Sequence, residues 1–339
     1  NPHCRYSILM AGRFYNPTEI RWCSLQDLKE VLPSPSSRIL IISAGSSQNR
    51  VEQLCSDLSS GYEIEVLPDV PADPTVATVQ DVVNSVKARS PEWIIAIGGG
   101  SVLDTAKAAA LIANHRSDVD AFLSGQSQID TPGIPCIAIP TTAGSGSEVT
   151  PYASITDAHN MQKISLAHDY LYPKYAVLDP SLTLTLSRRQ TAVSGMDGLS
   201  HAIEGYWSNQ STSVSDAHAL AAIRLMLTTL PEAYRNGEDL HARHMILEGS
   251  LLAGLTISNA KTTAVHAVSY PMTVFFHIPH GLACSLMLPS FIRFNAGSMR
   301  REKEEHLLSS LNLTSMNQLA ETVEELQEHL DLPVRLRDL

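Results

Sequence analysis

"IIAIGGGSVLDTAK", residues 94–107, decides the fold. A run of isoleucines and a small residue stops at three glycines, and a helix-forming stretch opens at Ser101. This reads as a buried strand turning directly into a helix. Free backbone N–H groups and the positive end of the helix dipole then meet at the turn, where a pyrophosphate can sit. Gly98, Gly99 and Gly100 would let such an anion approach the main chain. The pattern is not G-x-G-x-x-G, and alone a glycine-rich turn of this kind is as often only a tight turn.

The surroundings favour the binding reading. "RILIISA" (38–44), "YEIEVLP" (62–68), "CIAIPTT" (136–142) and "YAVLDP" (175–180) read as further strands, separated by helical stretches such as the one near 75–88. Alternation of this kind predicts a parallel sheet covered on both faces. A second loop, "IPTTAGSGSEVT" (139–150), also follows a strand, so two strand ends offer small donors on the side where open α/β sheets bind ligands. A hairpin is expected within 149–167. From about Ser187, Ala, Leu and Met recur at helical spacing. The expected organisation is an α/β domain over 1–184 and an all-α domain over 185–339.

At 339 residues the chain is long enough for two domains with a cleft between them. A net charge of −11 argues against a nucleic-acid partner, whose phosphates require clustered Lys and Arg. The absence of any long apolar run or basic-then-apolar N-terminus predicts neither membrane insertion nor export. The five cysteines, Cys4, Cys23, Cys55, Cys136 and Cys284, are odd in number and form no C-x-x-C pair, which suits reduced thiols in the cytoplasm. The missing initiator Met reads as trimming.

Two stretches carry metal-binding chemistry. "SGMDGLSHAIEGYWS" (194–208) sets Asp197 and His201 four residues apart, one turn on a helix face. Such a pair more often lies on a solvated face, but Gly195, Met196, Gly198 and Leu199 do not make one. "TTAVHAVSYPMTVFFHIPHG" (262–281) adds His266, His277 and His280 in apolar company. A mixed carboxylate and imidazole set suits Fe(II), Zn(II) or a similar divalent ion.

Taken in order, "GGGSVLDTAK", "PTTAGSGSEVT", "DGLSHAIEGYWS" and the segment from His266 to "PHG" resemble the iron-containing (group III) alcohol dehydrogenase family. The resemblance implies a dehydroquinate synthase-like fold, in which the N-terminal domain binds NADH or NADPH. It implies one Fe(II), with Zn(II) as the alternative, held by Asp197, His201, His266 and His280. Cofactor contacts carry over to Gly98, Gly99, Gly100, Ser101, Asp104, Thr141, Thr142, Ser147 and Lys163, with Leu182 and Asp73 beside them.

Several positions depart from the family pattern. Tyr270 stands where many members carry a histidine that helps move the proton, and a phenol with a reference pKa near ~10 is a poor acceptor at neutral pH. His277 is expected to face substrate or fill space. Asn259, Lys261, Thr262 and Thr263 bring a cation and several donors ahead of His266, which reads as an anion pocket and is similar to the phosphonoacetaldehyde reductase subgroup. Ser43 to Ser47 contain no carboxylate to repel a 2′-phosphate, which admits NADPH. The chain stops at Leu339, short of the family's usual C-terminal helices.

The resulting expectation is a metal-dependent NAD(P)H alcohol dehydrogenase working as an aldehyde reductase, with metal as Lewis acid and nicotinamide as hydride donor. Its expected partners are a small aldehyde or alcohol and, in a homodimer, a second copy of the chain. The alternatives are a lyase or synthase of the dehydroquinate synthase kind and a catalytically silent metal- or nucleotide-binding protein.

Overall fold

Residues 13–32 and 35–339 are described by the computed structural model, and its central strand is the one that runs into the glycine loop. Strands β1 (Glu19–Trp22), β2 (Arg38–Ser43), β3 (Glu63–Leu67), β4 (Trp93–Gly98), β5 (Cys136–Pro140) and β8 (Tyr175–Leu178) form one sheet in the order β1-β8-β5-β4-β2-β3. Every pairing is parallel. Ile39, Ile41, Ile95, Ile97, Ile137 and Ile139 face one core with helix α1 (Gln48–Leu58). Leu40, Ile42, Ile94, Ala96 and Ala138 face the other, beneath α2 (Val76–Arg89) and α3 (Gly100–Ile112). Burial on both faces is why these strands read as continuous apolar runs.

From β3, at one edge, the chain returns across β2 to form β4. The sheet therefore has a topological switch between the carboxyl ends of β2 and β4, the place where ligands bind in such sheets. The expected hairpin is β6 (Tyr152–Asp157) with β7 (Gln162–Ala167), antiparallel. Strand β1 was not anticipated: it has four residues, largely exposed, and pairs only with β8. A short helix α4 (Val119–Leu123) precedes β5.

Beyond β8 the described chain is helical: α5 (Arg188–Trp207), α6 (Ser213–Arg235), α7 (Leu240–Ala260), α8 (Ala264–Phe276), α9 (His280–Phe294), α10 (Arg301–Ser310) and α11 (Met316–His329). Helix α5 starts at a capping box in which the Ser187 hydroxyl accepts from the Gln190 N–H. Its middle is buried on every side, with Met196, Leu199, Ile203 and Tyr206 in one core with residues of α6, α7 and α9. A helix enclosed this way must carry its polar side chains toward partners, which is how Asp197, His201 and Glu204 come to be inside.

Among the described residues Cys23, Cys55, Cys136 and Cys284 are free thiols, while Cys4 lies outside them. No described helix is long and apolar enough to cross a membrane.

Candidate metal and dinucleotide site

A cavity of about 550 Å³ opens between the loops after β4 and β5 and the helices α5, α8 and α9. Gly100, Ser101, Asp104, Thr142, Ser147 and Lys163 line it on the sheet side, and Asp197, His201, His266, Tyr270 and His280 line it on the helical side. Asp197 and His201 stand a turn apart on α5, His266 lies in the first turn of α8, and His280 begins α9. The start of α9 is held against α5 by Gly281. A Cβ there would lie 2.3 Å from the Val193 carbonyl oxygen, so a larger residue would push His280 away from Asp197.

Each imidazole is held through Nδ1. His201 Nδ1–H donates to the Gly144 carbonyl at 3.1 Å. That carbonyl sits where a Cβ on Gly144 would come 1.9 Å from the Ser194 oxygen, so the loop reaches α5 only as glycine. His266 Nδ1–H donates to the buried Glu204 carboxylate. The Ser269 hydroxyl donates to the His266 carbonyl at 2.8 Å, which leaves it to accept from His280 Nδ1–H at 3.4 Å. All three rings thus have Nδ1 engaged, which leaves Nε2 as the nitrogen a metal would take, the arrangement by which outer partners orient metal-binding histidines.

Asp197 Oδ1 and His266 Nε2 are buried without a hydrogen-bond partner. Two such orphans cost about 1–3 kcal/mol each unless something else satisfies them. Asp197 Oδ1 lies 3.6 Å from His266 Nε2 and 3.7 Å from His280 Nε2. Donors at about 2.0–2.2 Å from a tetrahedral ion stand roughly 3.4 Å apart, so the spacing fits a divalent metal. Burial pushes the Asp197 carboxyl up, but His201, His280 and His266 outweigh it and hold it below the usual carboxylate range. Burial pushes His201 down to about 4 against the pull of Asp197, whereas at His266 and His280 burial is outweighed by Cys284 and the nearby carboxylates, which raise both, so a metal binding there displaces protons.

Two side chains in this centre were given no site role from the sequence. Glu204 is fully buried and also accepts from Thr263 N and Thr263 Oγ1, both at 2.7 Å, and from Val265 N at 3.1 Å. Its signal was present: it follows His201 by three residues and Asp197 by seven, on one helix face. Cys284, one turn after His280, faces the same cluster. Burial raises its pKa, but the adjacent His266 and His280 outweigh that and bring it down to about 7.

Other expected residues divide. Gly98, Gly99, Thr141 and Leu182 stand behind the cavity wall, with Thr141 N donating to the Gly98 carbonyl at 3.0 Å and Leu182 packed in the core under the sheet. Asp104 lines the cavity but is engaged by Ser147 Oγ at 2.5 Å, Ser154 N at 2.9 Å and Lys107 Nζ at 3.2 Å, and so ties α3 to the second loop and the hairpin. Lys163 pairs with Asp73 at 2.5 Å.

Of the four residues read as an anion pocket, only Thr262 lines the cavity. Lys261 is exposed at the end of α7, Asn259 bonds the Tyr15 backbone, and Thr263 is spent on Glu204 and Trp207. The other cation on the wall is Arg189, in the first turn of α5, which makes no ion pair with a described residue. His277 is exposed at the left-handed end of α8 and does not line the cavity. Tyr270 does, with its ring stacked on His280 at 5.7 Å.

Comparison with known proteins fits this geometry. The sequence profile described as iron-containing alcohol dehydrogenase matches residues 17–180, and the C-terminal profile of the same family matches 191–339. The chain belongs to the iron-containing alcohol dehydrogenase family. Relatives within it include long-chain-alcohol dehydrogenase 1 of Geobacillus thermodenitrificans, 40% identical over 70% of this chain and 61% of that one. Sulfoacetaldehyde reductase of Bilophila wadsworthia is 35% identical over 70% of this chain and likewise 61% of the relative. These matches span about three fifths of each relative's length. Among solved structures, the sulfoacetaldehyde reductase of Bifidobacterium kashiwanohense in complex with NAD+ superposes with a TM-score of 0.90 at 29% identity, over 97% of this chain and 88% of that one. The family's two-domain architecture is the one described above.

One corner of the sheet revises the cofactor argument. Ser43–Ser47 lack a carboxylate, but a Cβ on Gly45 would lie 2.5 Å from Asp69 Oδ1, so an acidic group reaches this corner from the end of the neighbouring strand β3.

Proposed function

We propose that the chain is a metal-dependent, NAD(P)H-linked alcohol dehydrogenase that reduces a small aldehyde, with an anionic one such as phosphonoacetaldehyde or sulfoacetaldehyde as the favoured substrate class. The observation that carries it is the convergence of two Nδ1-anchored imidazoles, His266 and His280, on the buried, partnerless Asp197 oxygen, with His201 stacked on His266, across the cavity from a glycine loop. When bound, the divalent ion supplies Lewis acidity and the nicotinamide supplies hydride.

The chain's own residues do the rest. Asp197, His201, His266 and His280 would hold the ion, while Glu204, Ser269 and the Gly144 carbonyl keep their Nε2 atoms presented. Gly100 and the first turn of α3 offer N–H groups to a pyrophosphate, and Asp69 supplies the carboxylate that favours a free 2′-hydroxyl, hence NADH over NADPH. Tyr270 keeps its proton on Oη at neutral pH because burial raises its pKa, so it serves as the donor to the newly formed alcohol oxygen. Arg189 is the wall cation available to the substrate's anion. The anionic class draws support from the resemblance of the 259–263 stretch and from the relatives named for sulfoacetaldehyde. The reduced thiols and the cofactor suit the cytoplasm.

The test is steady-state oxidation of NADH and NADPH with anionic and neutral aldehydes, using metal-stripped protein and protein reloaded with Fe(II) or Zn(II). Turnover should require metal. Turnover that survives stripping, or none with any aldehyde after reloading, sinks the proposal.

A further inference from the structure

The polar stretch 259–263 departs from the family pattern, yet of its candidate side chains only Thr262 lines the cavity. Thr263 is turned toward α5 instead. Its Oγ1 accepts from the Trp207 indole Nε1–H at 2.8 Å and donates to Glu204 Oε1 at 2.7 Å. The same carboxylate oxygen accepts from the Thr263 and Val265 backbone N–H groups at 2.7 and 3.1 Å, and Oε2 meets His266 Nδ1.

Chemistry fixes the direction of each proton along this series. An indole N–H only donates, so it occupies a lone pair of the hydroxyl, and the single hydroxyl proton is left for Glu204. Three donors on one oxygen, at the positive end of α8, favour the ionised carboxylate, which can only accept. His266 must then donate from Nδ1, and Nε2 is the atom that remains for a metal. Helix α8 also has no cap of its own, since Thr263 at its N-cap makes no side-chain cap bond, so Glu204 supplies one from α5.

Each contact alone is ordinary, because a buried tryptophan finds an acceptor for its N–H and a threonine beside a helix start bonds what is near. The backbone between the contacts is not ordinary. Lys261 has φ 61° and ψ 167°, a region that residues other than glycine enter only under strain, and such strain persists where the surroundings over-determine the conformation. Two consecutive residues at the end of α5 do this from both sides of Lys261: Ser208 Oγ donates to the Ala260 carbonyl, and Trp207 holds Thr263. The helix that carries Asp197 and His201 thereby sets the entry of the helix that carries His266.

We propose that Thr263 and Trp207 are positioning residues of the metal centre: the indole directs the Thr263 hydroxyl onto Glu204, and Glu204 fixes the His266 ring with Nε2 toward the ion. This rests on the metal reading made above and deepens it, assigning Thr263 to ligand orientation where the sequence suggested substrate binding.

Zinc affinity, read by competition with a chromophoric chelator in metal-stripped protein, tests this without recourse to turnover. Thr263→Val keeps the side-chain shape and removes the hydroxyl, and should raise the zinc dissociation constant by at least about tenfold, the low end for losing an outer partner of a ligand. Thr263→Ser returns the hydroxyl and should restore wild-type affinity. Trp207→Phe should weaken zinc binding on its own and add nothing in the Thr263→Val background, because both residues act through one hydroxyl. Equal losses from Trp207→Phe in the two backgrounds would reduce the tryptophan to packing and overturn the proposal. So would a valine variant that binds zinc as tightly as wild type, or a serine variant that binds it as weakly as the valine one. If the valine variant does not fold, Trp207→Phe alone still decides, since unchanged zinc affinity there overturns the proposal. Wild-type protein that binds zinc no more tightly than His266→Ala refutes the metal reading itself, and this inference with it.

Discussion

On the cavity wall, Tyr270 lies over His280 with its phenol held above its ordinary pKa by burial. A donor must be protonated to act, so the reduction rate should fall only when pH exceeds the donor's pKa. In the wild type, kcat/KM for aldehyde reduction is therefore expected to stay level through about pH 9. Tyr270→His should bring the fall down toward the imidazole range, roughly pH 6–7, and Tyr270→Phe should lower the rate by about 10²-fold or more. A profile that does not move in the histidine variant removes Tyr270 from the proton path. The anion-binding residue is tested at the same scale. Lys261→Ala should change little, because Lys261 faces solvent, whereas Arg189→Ala should lower kcat/KM for an anionic aldehyde on the order of ten- to a hundredfold and spare a neutral one. The reverse pattern would restore the pocket to the 259–263 stretch.

Among the elements, those whose shape depends on local sequence could be read in advance. The β4–α3 turn is one: glycines between a strand pattern and a helix pattern have few other conformations. The Asp197–His201 pair is another, since i and i+4 share a face on any helix. Strand β1 could not be read, because four edge residues, three of them exposed, carry too little alternation to distinguish them from a loop. Nor could Cys284, whose meaning depends on α9 lying beside α5 and α8, or the outward direction of Lys261, set by how α7 ends. Asp69 belongs to the same group. Its carboxylate acts on the end of β2 only because β2 and β3 are paired. Asp69→Asn should accordingly raise the NADPH-to-NADH ratio of kcat/KM by about tenfold, the scale of one charge-assisted hydrogen bond. An unchanged ratio would mean that this carboxylate does not meet the cofactor.

For the molecule as a whole, the turn Ser147–Val149 joins the two halves: it follows the second cofactor loop and packs against both α3 and α7. Lys107 holds it from below, its Nζ donating to the Ser147 carbonyl at 2.9 Å and the Thr150 carbonyl at 3.2 Å. Glu148 lies at this junction with both carboxylate oxygens buried and without a hydrogen-bond partner. Burial pushes its pKa from 4.5 up to about 7, against a smaller opposing pull from its own backbone N–H and from Lys107. The folded state therefore holds a proton that the unfolded chain releases near 4.5, and stability contributed by the neutral acid is lost as pH rises through about 7. At 1.36 kcal/mol per pKa unit the loss reaches about 3 kcal/mol above that range. Glu148→Gln stays neutral at every pH and so should escape the loss. Its melting temperature relative to wild type should rise by several degrees between pH 5 and pH 8, most of it below pH 7, where only the unfolded chain has released the proton. Calorimetry across that range decides the matter: a constant difference between the two proteins would show that Glu148 is already ionised at the junction and that its charge is compensated there.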